Sequence, residues 1–256
     1  MDFPPDRLAV LEPRFYDVGQ ILTAYGTYGH NVVLKAASLI SNHTQPPFAI
    51  AVEGRWGAGK TTFLTLLEDE LKKRDYPTIW FNPWEYDATG DVVLALQKTI
   101  ARDLVRRWKF GLKELGVFAL ALATTGVSVA AKTCGIDCKQ VKTIEEDVRQ
   151  ALAGRKWDQY EDYVEAVRND FIELTHQVGK KDAKYEGKPL VIFLDDLDRC
   201  LPDNALRLLE ALKNQFVARN ERLAANAIFV CGLDTATAKR FIMKRYEGIS
   251  PGFAFN

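Results

Sequence analysis

Gly54-Arg55-Trp56-Gly57-Ala58-Gly59-Lys60-Thr61-Thr62 directly follows the apolar run Phe48-Ala49-Ile50-Ala51-Val52. A buried strand, a glycine-rich turn and a helix in that order, with GxxxxGKT at the junction, is the layout of a phosphate-binding loop. Glycines at 54, 57 and 59 let backbone amides converge on an anion without a Cβ in the way. Lys60 supplies a point charge for the β and γ phosphates of a nucleotide. The Thr61 hydroxyl is a ligand for Mg²⁺, and the helix N-terminus behind it adds its dipole. Trp56, Ala58 and Thr62 complete the expected nucleotide contact, with Trp56 read as packing the loop and Arg55 as facing solvent. The helix then runs over Thr62 to Arg74, where Phe63, Leu66, Leu67 and Leu71 recur at helical spacing and Lys72, Lys73 and Arg74 suit the negative end of the dipole.

A phosphate loop hydrolyses nothing unless a second, acidic element reaches it. Leu190-Val191-Ile192-Phe193-Leu194 is a β-rich apolar run, and Asp195-Asp196 follows where a strand emerges at the C-terminal edge of a parallel sheet. Asp195 is expected to hold Mg²⁺ through its water shell, opposite the Thr61 hydroxyl. Asp196 is then placed to polarise the attacking water. Asp198 competes for that role, because in an extended segment the two carboxylates share a face.

Two further strands are legible. Thr78-Ile79-Trp80-Phe81 is broken by Pro83 at the sheet edge where ligands bind. Glu85 beyond it reads either as a group that orients water or contacts Mg²⁺, or as a solvated neighbour, with Trp84 and Tyr86 packing. Ala227 to Leu233 ends in Asp234, which is either a sensor of the γ phosphate or a plain N-cap for a helix over Thr235 to Tyr246. Leu206, Leu209, Leu212 and Phe216 recur at three- and four-residue steps within Asp203 to Val217, giving the crossover helix that joins these last two strands.

Gly54-x-Trp56-Gly57-x-Gly59-Lys60-Thr61, Phe81-Asn82-Pro83-Trp84-Glu85-Tyr86 and Phe193-Leu194-Asp195-Asp196-Leu197-Asp198-Arg199-Cys200 together resemble the KAP family of P-loop NTPases. The resemblance runs roughly from residue 15 to residue 245. It implies an ATPase of the signal-transducing, AAA-like branch, often bacterial and membrane-associated, with members linked to bacteriophage exclusion and, in animals, to membrane scaffolding. ATP and Mg²⁺ are the implied cofactors, and protein partners or self-association the implied company. The expected fold is an α/β P-loop NTPase, a mostly parallel sheet flanked by helices, formed as a single domain over 1–256.

Composition agrees. The 256 residues are 47% hydrophobic, enough for one α/β core, and 34 basic against 34 acidic residues leave no net charge to attract nucleic acid. Cysteines at 134, 138, 200 and 231 are too scattered for a disulfide framework and lack a second ligand pair for zinc. The chain opens Met-Asp-Phe-Pro-Pro-Asp, with no signal segment, so a cytoplasmic location is expected. A guanine nucleotide is disfavoured because no NKxD or TKxD sequence occurs. A small-molecule kinase is disfavoured by the paired aspartates and the lack of an Arg-rich lid.

Lys60 and Asp195 lie much farther apart than one crossover helix needs, so a helical insertion is expected over 102–186. Part of it is an amphipathic helix from Trp157 to Val178, followed by a linker-like stretch over Val178 to Lys188. Leu115 to Ala131 carries no charge and follows Arg102, Arg106, Arg107, Lys109 and Lys113. As a helix it would reach about 26 Å, short of a roughly 30 Å hydrocarbon core, and both halves of the site must stay on one side of a bilayer. A buried helix or a membrane-surface contact through 102–131 is therefore expected over a spanning one. A C-terminal helical lid is expected to be absent after Tyr246, which leaves Arg199, Arg240, Arg245 or a second subunit to supply a late-acting cation. Two function classes stay open: a Mg-dependent ATP hydrolase acting as a conformational switch, and a non-hydrolysing ATP-binding interaction or scaffold module.

Overall fold

The structure is a computed structural model, and the residues it describes are 31–42, 45–89, 91–123, 160–217 and 223–246. Four strands, β1 (Phe48–Glu53), β2 (Thr78–Phe81), β3 (Leu190–Leu194) and β4 (Ala227–Leu233), form one sheet in the order β1-β4-β3-β2, with every neighbouring pair parallel. Parallel strands need crossover connections, which put helices on the faces of the sheet. On one face lie α1 (31–42) and α2 (Lys60–Lys73), whose Val33, Ala37, Ile40, Leu64, Leu67 and Leu71 pack on Val191, Phe193, Ile228 and Val230. The other face is covered by α3 (Val92–Trp108), the short α4 (Leu112–Leu115) and α5 (Phe118–Ala123), α6 (Tyr160–Lys181) and α7 (Pro202–Ala211). There Phe118, Phe171, Phe216 and Phe229 stack in a chain of rings with centres 5.0 to 6.4 Å apart. The last described helix is α8 (Thr235–Tyr246).

All five residues of β3 are buried, since neighbours flank it on both sides and helices cover both faces. β1 differs from the buried strand that its apolar run suggests. Among the described residues it is an edge strand whose only partner is β4. Phe48, Ile50 and Val52 are partly buried toward α1 and α2, while Ala49, Ala51 and Glu53 are exposed on the opposite face. An apolar run of five cannot tell an edge from a centre, because alanine is at home in either.

The long interval between β2 and β3 is less of an appendage than its length suggests. Residue 102, where the insertion was expected to open, lies inside α3, and α6 contributes Val167, Phe171, Leu174 and Val178 to the main core. Leu115, Val117, Phe118, Ala119 and Ala121 are each at most 1% exposed, so these side chains of the uncharged stretch belong to the core; residues 124–131 lie outside the described residues. Among the described residues no helix is long and apolar enough to cross a membrane. The stretch expected as a linker over Val178 to Lys188 is packed structure instead. α6 continues to Lys181, Asp182 caps a 3-10 turn over Ala183–Tyr185, and Tyr185 meets Trp108 edge-on at 6.2 Å. The helix predicted over Asp203 to Val217 is α7 followed by a π-helical turn at Leu212–Phe216.

Candidate functional site

The chain leaves β1 with the Gly54 amide still bonded to the Leu233 carbonyl at 3.2 Å, and the turn closes through Ala58 N to Arg55 O at 3.1 Å. Gly59 then occupies the N-cap of α2 at φ +84°, a backbone region that favours glycine, and no side chain caps the helix. The first-turn amides of α2 therefore point from the sheet's C-terminal rim with their dipole uncompensated by a side chain. Lys60, only 9% exposed, folds back so that its Nζ donates to Gly54 O at 2.9 Å and to Asp198 Oδ2 at 3.2 Å.

β3 ends on the same rim. The Asp195 amide donates to Phe81 O at 3.1 Å, which ties the acidic turn to the end of β2, and its side chain is 2% exposed. Asp195 Oδ1 accepts from the Asp196 amide at 2.9 Å, and the Thr61 hydroxyl stands by the same carboxylate and favours its charged form. Burial, followed by the charge of Asp196, pushes the Asp195 pKa up to about 6, against the smaller pull of Thr61, the Asp196 amide and Lys60. Space for this carboxylate is made on β4, where a Cβ at Gly232 would come within 3.1 Å of Asp195 Oδ1 and 3.0 Å of Leu64 Cδ1.

Asp196 and Asp198 do not share a face. Asp196 adopts a left-handed conformation (φ +58°, ψ +29°), which aspartate tolerates better than most residues, and Leu197–Arg199 then closes a 3-10 turn. The extended geometry that would align the two carboxylates is lost. Asp196 Oδ1 faces Arg199 Nε at 2.9 Å, while Asp198 turns inward to Lys60. Burial raises the Asp196 pKa, and Arg199 works against it. Asp198 Oδ1 is buried with no hydrogen-bond partner, so the pocket around Lys60 holds one unsatisfied acceptor.

With lysine, hydroxyl and carboxylates gathered on one rim, comparison with known families is decisive: residues 30–246 match the KAP family P-loop domain. The chain belongs to the KAP family of P-loop NTPases. As a KAP P-loop domain it is a nucleotide-binding protein. No curated protein matches the chain.

Thr61 and Asp195 offer the hard oxygen donors that suit Mg²⁺, and among the described residues no group of three His, Cys, Asp or Glu forms a metal cage. Mg²⁺ commonly takes only one or two protein ligands beside phosphates and water, so this KAP site fits it. The remaining predicted residues are distributed as follows. Trp56 and Ala58 are exposed on the loop, Trp56 at 79%, whereas Thr62 is buried on α2. Trp56 does not pack into the loop as the sequence suggested; Arg199 lies over its ring at 5.8 Å. Glu85 is exposed and accepts from Asn82 Nδ2 at 3.4 Å, and Tyr86 stacks on Phe81 at 5.4 Å. Asp234 stands at the end of β4 and caps α8, accepting from the Ala236 amide at 3.0 Å. Arg240 is exposed and donates to Thr237 at 2.8 Å.

Sequence reasoning missed Asp87. Its carboxylate accepts from the Leu201 amide at 3.0 and 3.1 Å and from Asn204 Nδ2 at 2.8 Å, so it locks the start of α7, just past the acidic turn, to the segment after β2. A signal existed. Pro202 marks the first turn of a helix, yet Leu201 before it has no side-chain acceptor for capping.

Proposed function

We propose that this KAP domain hydrolyses ATP to ADP and phosphate in a Mg-dependent reaction and uses the cycle as a conformational switch. The observation that carries this reading is the convergence of buried Lys60, the side-chain-free N-terminus of α2 and the desolvated Asp195 beside Thr61 on one rim of the sheet. Lys60 and the loop amides take the phosphates, and Asp198, which holds Lys60 in the structure, gives way to them. Thr61 and Asp195 would hold Mg²⁺, whose charge offsets that of the phosphate oxygens. Asp196 orients water and receives its proton as the water oxygen bonds to the terminal phosphorus. The bridging oxygen leaves with its electron pair on ADP.

A cytoplasmic site of action is favoured over membrane contact through 102–131, because Leu104, Trp108, Phe110, Leu115, Val117, Phe118 and Ala119 of that stretch are taken up by the core. Phosphate release measured with MgATP tests the activity. The wild-type chain is expected to turn over, and Asp196→Asn to lose about 10²-fold or more in kcat while still binding ATP. Wild-type release no greater than that of Lys60→Ala, with ATP still bound, would replace the hydrolase by an ATP-holding interaction module.

A further inference from the structure

Arg199 is held in an unusual way for a residue that is 40% exposed. Its guanidinium lies 5.8 Å from the ring centres of both Trp56 and Trp84, within range of cation attraction to an indole face, and its Nε meets Asp196. Trp56 comes from the phosphate loop and Trp84 from the 3-10 turn after β2, and they are 79% and 50% exposed. Two indoles from separate elements thus share one cation at the surface, with little burial to account for their position. One residue earlier on the same 3-10 turn, Asp198 holds Lys60. A single short turn therefore gives an anion to the phosphate-binding lysine and a cation to the carboxylate beside the acidic strand. A triphosphate competes with Asp198 for Lys60, and a shift of the turn that frees Asp198 would carry the adjacent Arg199 with it.

We propose that Arg199 is the arginine this domain supplies in cis to the terminal phosphate of ATP, with the cleft between Trp56 and Trp84 as its resting place. The assignment rests on the ATP reading above. When the triphosphate displaces Asp198, Arg199 leaves the indoles and Asp196 for the terminal phosphate oxygens. There it offsets the charge that spreads as the phosphorus–oxygen bond to ADP breaks and the bond to water forms. Asp196, freed of its ion pair, takes the proton.

The test is nucleotide binding to the full chain in Mg²⁺, followed by tryptophan fluorescence, with ADP and the non-hydrolysable imido analogue of ATP as the two probes. Trp56→Phe and Trp84→Phe assign the signal. The analogue is expected to change the emission of these two indoles while ADP leaves it nearly unaltered. Arg199→Ala should erase that change and cut the preference for the analogue over ADP by about 10-fold to 100-fold, with ADP affinity within about 3-fold of wild type. Arg199→Lys should restore part of the preference. In turnover, Arg199→Ala should lose about 10³-fold in kcat with KM little altered. An Arg199→Ala protein that keeps the full preference overturns the assignment. So does one that loses ADP and analogue alike, since Arg199 would then only hold the loop in shape. Wild-type protein that discriminates the analogue through Arg199 but releases no phosphate would remove the hydrolysis reading and leave the contact to the terminal phosphate standing.

Discussion

β1 exposes Ala49, Ala51 and Glu53 along one face, while all five residues of β3 are buried, and each strand delivers half of the same site. What each half must do explains the difference. The loop after β1 binds through backbone amides and one lysine, and amide dipoles keep their strength whether or not the strand beneath is covered. The turn after β3 carries Asp195, 2% exposed, whose burial pushes its pKa up to about 6. Cover falls on the strand whose side-chain charge has to be controlled.

The largest break of this comparison is at the lysine. Lys60→Ala should reduce turnover by about 10²-fold to 10³-fold, measured as phosphate release. Lys60 and Asp198 are both 8% exposed and Asp198 Oδ1 already lacks a partner, so the variant should also lose about 3–5 kcal/mol of stability in urea unfolding. Adding Asp198→Asn should recover most of the stability and none of the turnover. Within β3, Ile192→Ala should cost about 2–5 kcal/mol in the same measurement, because its neighbours on both sides hold the cavity open.

Asp195→Asn sharpens the comparison by moving stability and activity in opposite directions. Burial and Asp196 penalise the charged form, so without nucleotide the variant should be more stable than wild type by about 1–3 kcal/mol, while Mg-dependent turnover is lost. The sign with pH follows from the folded pKa lying above the unfolded one. The folded chain then holds this proton more tightly, so the destabilisation is absent below about pH 4, grows as pH rises, and is complete above about pH 6. The gap in melting temperature between Asp195→Asn and wild type should accordingly open across that window. A gap independent of pH would contradict the desolvation of Asp195. The smallest effect belongs to the exposed face of β1, where Ala51→Ser should change stability by no more than about 0.5 kcal/mol. A loss as large as that of Ile192→Ala would mean the two strands are equally covered after all.

The strands were legible because each apolar run stops at a residue that cannot continue it: Gly54, Asn82-Pro83, Asp195 and Asp234. Local chemistry decides such endings. The arrangement of the acidic turn was not legible, since the left-handed Asp196 and the 3-10 turn at Leu197–Arg199 depend on Lys60 and the two indoles, which arrive from elsewhere in the chain. Gly232 reads in sequence as a weak spot in a good strand, and only the closeness of Leu64 and Asp195 gives it a reason. The edge position of β1 was hidden for a similar cause, because it follows from sheet order and not from composition.

Sheet order also bears on how the molecule is made. β4 is the last described strand but takes a place between β1 and β3, and among the described residues it is the only strand hydrogen-bonded to β1. A nascent chain that has released β1, β2 and β3 but not β4 holds a β2–β3 pair open along both edges and, among the described strands, no partner for β1. The entry of residues 227–233 joins them in one step of high contact order. A stalled or clipped chain lacking that strand therefore keeps only the packing of α2 on Val191 and Phe193 to hold its phosphate loop near the aspartates.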